Sequence, residues 1–265
     1  LRNSLRNGMT RAWMHGRWWI NDPDALMMRE NQTELTADEI RSQLTLLGLS
    51  GGLFGLSDDL PQLTREQIAA AALLYPPLLE GMDVLDLFRR QMPTEVVAPV
   101  ARPWGHWQLV GLFNWGETPA VALLPPHLPG FDSRRRYHVV DFWNRRYQGL
   151  EAGAPLPEFE LAPHGCALLG VRPVTAAPQL VSTTFHLSQG GEVTDWQTES
   201  AAVRLKLQLG RLAEGEIWLA LPAPPQEATL DEAPLPREAL FGVAKGIWAF
   251  KFRLPREGTL RVTWD

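Results

Sequence analysis

A single cysteine, Cys166, stands in 265 residues, so no internal disulfide can form and the fold must be held by packing and hydrogen bonds. It lies in the apolar run Cys166-Ala-Leu-Leu169, where a buried, inert thiol is expected. No apolar run approaches the ~18 residues that a membrane span needs, and no signal peptide opens the chain. A membrane partner is therefore not expected. The expected location is cytoplasmic, with export left open by the character of the first residues. Lysine is scarce, at Lys206, Lys245 and Lys251 only. The one concentrated positive run, Arg134-Arg135-Arg136, is too short for a nucleic-acid partner in a chain of net charge −5. The six histidines are scattered without ligand spacing, so neither a metal nor another cofactor is expected. Internal repeats and low-complexity tracts are missing too.

What is present suits a folded globular protein. Hydrophobic residues make up 45% and charged residues 21%, enough for a packed core. Eleven tryptophans are an unusual number, and tryptophan serves cores, interfaces and sugar platforms alike. Position 1 is Leu, and Leu1 to Met9 read as a helix without an N-cap. The expectation is a chain that opens inside a longer protein.

Residues 1–92 read as α/β. Arg17-Trp-Trp-Ile20 is a short β-prone run, expected to end before Asn21-Asp22-Pro23-Asp24 because proline cannot donate to a sheet. Thr36-Ala-Asp-Glu39 is a capping box opening an amphipathic helix through Ile40, Leu44 and Leu47, stopped by Gly51-Gly52. A second short strand, Leu53 to Leu56, leads to Ser57-Asp58-Asp59. Thr64-Arg-Glu-Gln67 then caps an alanine-rich helix that Pro76-Pro77 ends. This alternation belongs to parallel-sheet folds. Residues 93–265 change character. Short apolar or alternating runs recur, among them 107–113, 121–124, 137–143, 165–171, 203–209, 217–221, 248–252 and 259–264. Punctuated by Gly, Pro and Asn, they predict an antiparallel β-sandwich.

Asp22 and Asp24 form the tempting carboxylate pair, since i and i+2 share one face of a strand. Glycoside cleavage needs its two carboxyl groups ~5 Å or more apart across a sugar ring, an arrangement better supplied by different strands. The bland alternative is an Asx-bonded turn. Asp58-Asp59 carries the same two readings, catalytic rim or helix approach.

The stretch Leu5-Arg-Asn-Gly-Met-Thr-Arg-Ala-Trp-Met-His-Gly-Arg-Trp-Trp-Ile-Asn-Asp-Pro-Asp24, with Met28-Arg29 and Leu35-Thr36, resembles glycoside hydrolase family 36, the melibiase or α-galactosidase family. Leu49-Ser-Gly-Gly52, Ser57-Asp-Asp-Leu60, Pro163 to Leu169, Pro178-Gln-Leu180 and His186-Leu-Ser-Gln-Gly190 extend the similarity. It covers most of residues 1–196 and fades beyond. The resemblance implies a (β/α)8 barrel followed by a C-terminal β-sandwich, cleaving terminal α-galactosides with retention. It implies a nucleophile in a Lys-x-Asp motif and an acid/base aspartate in a later loop. No Lys-x-Asp occurs here, so the chain corresponds to the last two β/α units, residues 1–92, and the sandwich, residues 93–265. No catalytic residue is expected within it. By the same resemblance Asp24 lines the galactose site, Asp22 and Asn21 hold the loop, and Arg29 pairs with loop carboxylates. Ala25 departs from the family pattern. His15, Trp18 and Trp19 are expected in barrel packing, and His186 and Gln189 in structural roles.

Two other readings remain. One is a fragment of a raffinose or stachyose synthase-type galactosyltransferase, which shares the barrel. The other is a non-catalytic carbohydrate-binding module, excluded if Trp104, Trp107, Trp115 and Trp196 are all buried. Partners of the intact protein would be α-galactosides, with a homo-oligomer open. Two barrel strands leave an unpaired edge and an uncovered apolar face. The isolated chain is therefore expected to keep its sandwich ordered while roughly the first 90 residues aggregate or stay partly unfolded; hydrogen exchange reads this. Strong protection from Trp18 to Asp22 would refute it.

Overall fold

The helix that organises the first part of the chain is fixed at both ends by its own sequence. The computed structural model describes residues 2–29, 31–78 and 80–265. Thr36 Oγ1 accepts from Glu39 N (3.2 Å) while Glu39 Oε2 accepts from Thr36 N (2.8 Å), closing the expected capping box on α2 (Ala37–Ser50). Gly51 ends α2 in the left-handed region, at φ 69°, where a side chain would be strained. The helix is not amphipathic as the spacing of Ile40, Leu44 and Leu47 suggested. Ten of its fourteen residues are buried, Ser42, Gln43 and Thr45 among them.

Around α2 the order helix, strand, helix, strand, helix holds, with one strand displaced. The opening helix α1 spans Arg2–Thr10, and Leu1 lies outside the described residues. Arg17 to Ile20 do not form the expected strand. Gly16 N donates to Trp19 O (2.8 Å), and Arg17 N and Trp18 N both donate to Met14 O (3.1 Å each), so this run is a knot of turns. The strand forms instead at β1 (Ala25–Leu26), pairing in parallel with β2 (Gly55–Leu56) across α2. Among the described residues this sheet has two strands, and the Gln43 side chain meets the outer edge of β1. A second capping box, Thr64 with Gln67, opens α3 (Arg65–Ala72).

The rest is antiparallel β-structure, as its periodicity predicts. A six-stranded sheet runs in the order Asp83–Val84, Glu95–Arg102, Gly105–Phe113, Cys166–Pro173, Tyr137–Asp141, Arg146–Leu150. Alternation along Glu95–Arg102 sends Val96, Ala98 and Val100 to the helical side, and Val97 to a separate core beneath the two-stranded sheet Ala120–Leu123 with Glu158–Leu161. Residues 179–265 build a further pair of sheets, of four and five strands, around Leu205, Leu207, Ile217, Phe250, Leu260 and Val262. This is sheet-on-sheet packing with its own apolar core.

Helix α2 packs on the six-stranded sheet where Gly111 makes room. A Cβ there would come within 2.8 Å of Val96 and 3.1 Å of Leu49. Its buried polar residues are all paired. Ser42 Oγ donates to His164 O (2.7 Å), and Thr45 Oγ1 accepts from Trp143 Nε1 (2.8 Å) and lies 3.3 Å from Cys166 Sγ. Burial pushes the Cys166 thiol up to about 11, the inert state expected of it. Gln43 spans to the other side, donating to Ala25 O (3.0 Å) and accepting from Met27 N (3.2 Å). Order in α2 is thus tied to the sandwich, and the segment that lacks such ties narrows to the turns around Trp18.

Further along the same sheet the four-stranded sheet takes over, across a polar seam. Arg172 and His138 are register partners on neighbouring strands and are buried there with Ser182, Thr183, His186, Gln189 and Glu192. Gln189 fills the space over Gly170 and accepts from Ser182 Oγ (2.9 Å), which bears out its structural role. His186 Nδ1 accepts from Ser188 N (3.1 Å), and His138 Nδ1 lies 3.0 Å from Tyr147 Oη. Burial pushes both imidazoles down to about 4. Each holds its proton more tightly unfolded than folded, so stability falls as pH drops from about 6.5 towards 4 and levels off below. Glu192, raised by burial, acts in the opposite direction. Between pH 7 and 5 each histidine is expected to remove about 2 kcal/mol. Thermal unfolding of His186→Gln should therefore show a shallower loss of stability over that interval than the unmodified chain; an unchanged slope would count against the seam as its source.

Candidate functional site

The loop that carries Asp22 and Asp24 is organised by its neighbour, Asn21. That side chain is buried and fully engaged: Oδ1 accepts from Trp19 Nε1 (2.7 Å) and Nδ2 donates to Arg11 O (2.9 Å). Its backbone N donates to His15 Nδ1 (3.1 Å), and its carbonyl accepts from Leu53 N (3.0 Å). Gly52 permits this approach, because a Cβ at that position would collide with the Asn21 carbonyl. Four hydrogen bonds, from residues 11–19 and from Leu53, hold one residue, and the two aspartates follow it outward.

Asp22 Oδ1 accepts from Asp24 N (2.9 Å), an Asx turn, and Asp24 Oδ1 accepts from Ala25 N (2.8 Å). Asp24 sits at φ 83°, in the left-handed region where a non-glycine residue is uncommon. Both side chains are exposed. They border an open depression of about 680 Å³, lined also by Asn7, Arg11, Trp19 and Ile20. Each aspartate spends one oxygen on the loop and leaves Oδ2 free to accept. The arrangement can hold hydroxyls or a cation's water shell, but it offers no second wall and no buried carboxylate. Among the described residues no cluster of three or more His, Cys, Asp or Glu could hold a metal.

The structure separates residues that were expected at one rim. Asp22 and Asp24 precede β1 instead of following a strand, since the strand forms after Pro23 and not before it. Asp58 follows β2, at the opposite end of the parallel pair. Its side chain is buried and spent on structure, accepting from Met28 N (2.6 Å) and from Arg29 Nη1 (3.0 Å). Arg29 is the loop partner it was expected to be. Asp59 accepts from Gln62 Nε2 (2.6 Å) at the approach to a short 3-10 turn, Leu60–Gln62.

Trp18 and Trp19 are 68% and 49% exposed, contrary to the expectation of packing. With Trp13 they form an edge-to-face cluster, at 5.3 Å and 5.9 Å between centroids, and no other layer covers them. His15 works as a hydrogen-bond acceptor for the loop. The sandwich tryptophans divide: Trp107 and Trp115 are buried, while Trp104 and Trp196 are only partly so. The exclusion of a binding surface therefore does not hold for those two. They line a second cavity together with Arg135 and Arg172. One signal for it was open to sequence reasoning. Arg172 interrupts an apolar strand at a core-facing position.

If Asn21 anchors the loop, Asn21→Ala should cost about 2–3 kcal/mol, because it removes two side-chain bonds and leaves buried partners unpaired. Asp24→Gly should be neutral or stabilising by up to about 1 kcal/mol, since glycine adopts positive φ freely. Denaturant unfolding checks both, and equal losses in the two variants would contradict the assignment.

No family model matches the chain. Solved structures similar to it include α-galactosidase I from Mortierella vinacea, with 17% identity, a TM-score of 0.44, and coverage of 62% of this chain and 42% of that one. An α-galactosidase from Saccharomyces cerevisiae gives 14% identity and a TM-score of 0.47, covering 65% of this chain and 51% of that one. A β-L-arabinopyranosidase from Geobacillus stearothermophilus gives 16% identity and a TM-score of 0.46, covering 68% and 44%. The chain spans about half the length, or less, of each of these proteins.

Proposed function

We propose that this chain is part of a retaining α-galactosidase-like glycoside hydrolase acting on terminal α-galactosides. In this reading residues 1–92 supply the last two β/α units of a (β/α)8 barrel and residues 93–265 the C-terminal sandwich. The nucleophile and the acid/base aspartate are not among these residues. Asp24, supported by Asp22, is a sugar contact and not a catalytic group.

The observation that carries the reading is the Asn21-anchored loop, which presents two free carboxylate oxygens at an open depression. Carboxylates held this way accept hydrogen bonds from sugar hydroxyls at fixed geometry. They cannot also be the catalytic pair. Retention requires one carboxylate to attack the anomeric carbon while another protonates the leaving oxygen from a different side, ~5 Å away. Two residues of one exposed tight turn, Asp22 and Asp24, do not enclose a ring. The two-stranded extent of the β1–β2 sheet and the exposed Trp18, Trp19 and Ile20 also support it, because further barrel elements would extend that sheet and cover those side chains.

Two measurements test the proposal. The isolated chain is expected to hydrolyse no aryl α-galactoside; turnover that copurifies with it would overturn the assignment of missing carboxylates. In a protein that also carries the remaining barrel, Asp24→Ala should lower kcat/KM about ten- to a hundredfold, the worth of one or two charge-assisted hydrogen bonds. An unaffected kcat/KM would remove Asp24 from the sugar site.

A further inference from the structure

We propose that the pocket between Trp104, Trp196 and Arg135, on the strand-rich part of the chain, binds a carboxylate-bearing sugar, such as the uronic acid unit of an acidic glycan. The site is independent of the Asp22–Asp24 loop, so either can fail without the other.

The platform is built from the inside out. Trp104 stacks on Trp107 at 5.4 Å with the rings 25° apart, and on Trp196 at 5.8 Å and 27°. All three rings are held by their own N–H groups: Trp107 Nε1 donates to Ser188 O (2.8 Å), Trp104 Nε1 to Val193 O (2.9 Å) and Trp196 Nε1 to Thr198 Oγ1 (3.2 Å). Trp107 is buried and also carries the Arg172 guanidinium, 3.7 Å from its ring centroid. The outermost ring, Trp196, thus rests on a fixed stack and costs little entropy to use, the condition that favours aromatic platforms in recognition. An aromatic face suits the apolar C–H face of a pyranose.

The charge around the pocket selects the ligand further. Its lining includes His106, Arg135 and Arg172 and no Asp or Glu. Arg135 is exposed and has no carboxylate partner among the described residues, whereas its neighbour Arg134 is held by both oxygens of Asp132. Arg172 is 2% exposed, and its Nε makes no hydrogen bond among the described residues. Of the nearby carboxylates, buried Glu192 offsets part of the Arg172 charge, which leaves Arg135 as the cation without a carboxylate partner among the described residues. Glu192 accepts from Thr183 Oγ1 (2.5 Å), and Asp195 accepts from Trp196 N (2.9 Å) and Gln197 Nε2 (2.8 Å). The cavity, about 350 Å³, is at the small end of ligand pockets, ~300–1,000 Å³, which fits a single sugar unit better than a polymer segment.

The test is a titration of the ¹⁵N-labelled full chain, following indole N–H resonances, with methyl α-D-galacturonate, methyl α-D-galactoside, acetate and uridine 5′-monophosphate. Galacturonate should shift the Trp104 and Trp196 indoles and saturate, with the galactoside at least about tenfold weaker for want of the charge-assisted bond. Trp196→Ala should abolish the effect while the indole signals other than that of the stacked Trp104 stay in place. Arg135→Gln, an exposed change that leaves the stack intact, should weaken galacturonate about five- to tenfold and flatten its salt dependence. Equal affinity for galactoside and galacturonate would overturn the proposal. So would acetate or the nucleotide binding as tightly as galacturonate, no shift up to about 50 mM ligand, or an unaltered response in Arg135→Gln.

Discussion

The docking of α2 onto the six-stranded sheet is the contact on which the first half of the chain depends. Its apolar part, through Leu44, Leu46, Leu47 and Leu49, supplies the driving force, each fully buried leucine being worth roughly 1.5–3 kcal/mol. Its polar part supplies the register. Ser42, Gln43 and Thr45 would be costly to bury unpaired, and Ser42 and Thr45 find their partners only when the helix sits at one position over the sheet. Gln43 then passes that position on to β1, and β1 sets the start of the loop beside it. Helix, parallel pair and aspartate loop therefore form one chain of dependence that begins at the sheet.

Much of this could be read from the residues in advance, and the misses share a cause. Both capping boxes, the glycine stop at Gly51 and the run of sandwich strands depend on local chemistry or on period-two patterning, and all are where they were expected. The strand expected at Arg17 to Ile20 failed because its β-propensity had no neighbouring strand to pair with, while Gly16 and the carbonyl of Met14 offered a local alternative. The breadth of burial on α2 was hidden for another reason. Serine, threonine and glutamine look like a solvent face until their distant partners are known. For the aspartate pair, composition announced the residues, but only the structure shows that Asn21 does the anchoring and that Asp58 has a different task at the other end.

The two halves of the strand-rich region meet differently. Where α2 covers the six-stranded sheet the joint is mainly apolar; where the four-stranded sheet takes over, charged and polar groups lie beside a small apolar cluster of Val140, Val181, Trp218, Ile247 and Ala249. Trp107 sits at the change, giving its indole N–H to the seam and its ring to the stacked tryptophans. A buried arginine laid on that ring, with Gln189 filling the space over Gly170, makes the joint selective about geometry in a way that interchangeable leucines would not. The seam is thus the part of the molecule where acidity and packing are coupled, and the tryptophan stack is its continuation to the surface.

The lone cysteine has a practical meaning in this setting. Cys166 lies under α2, against Thr45, with its thiol held far from ionisation at neutral pH. Half-buried and with its pKa raised, it reacts slowly with an alkylating reagent, and faster modification reports that the helix has lifted from the sheet. The chain carries its own single-site reporter on the joint that organises it, with no introduced label and no second thiol to confuse the signal.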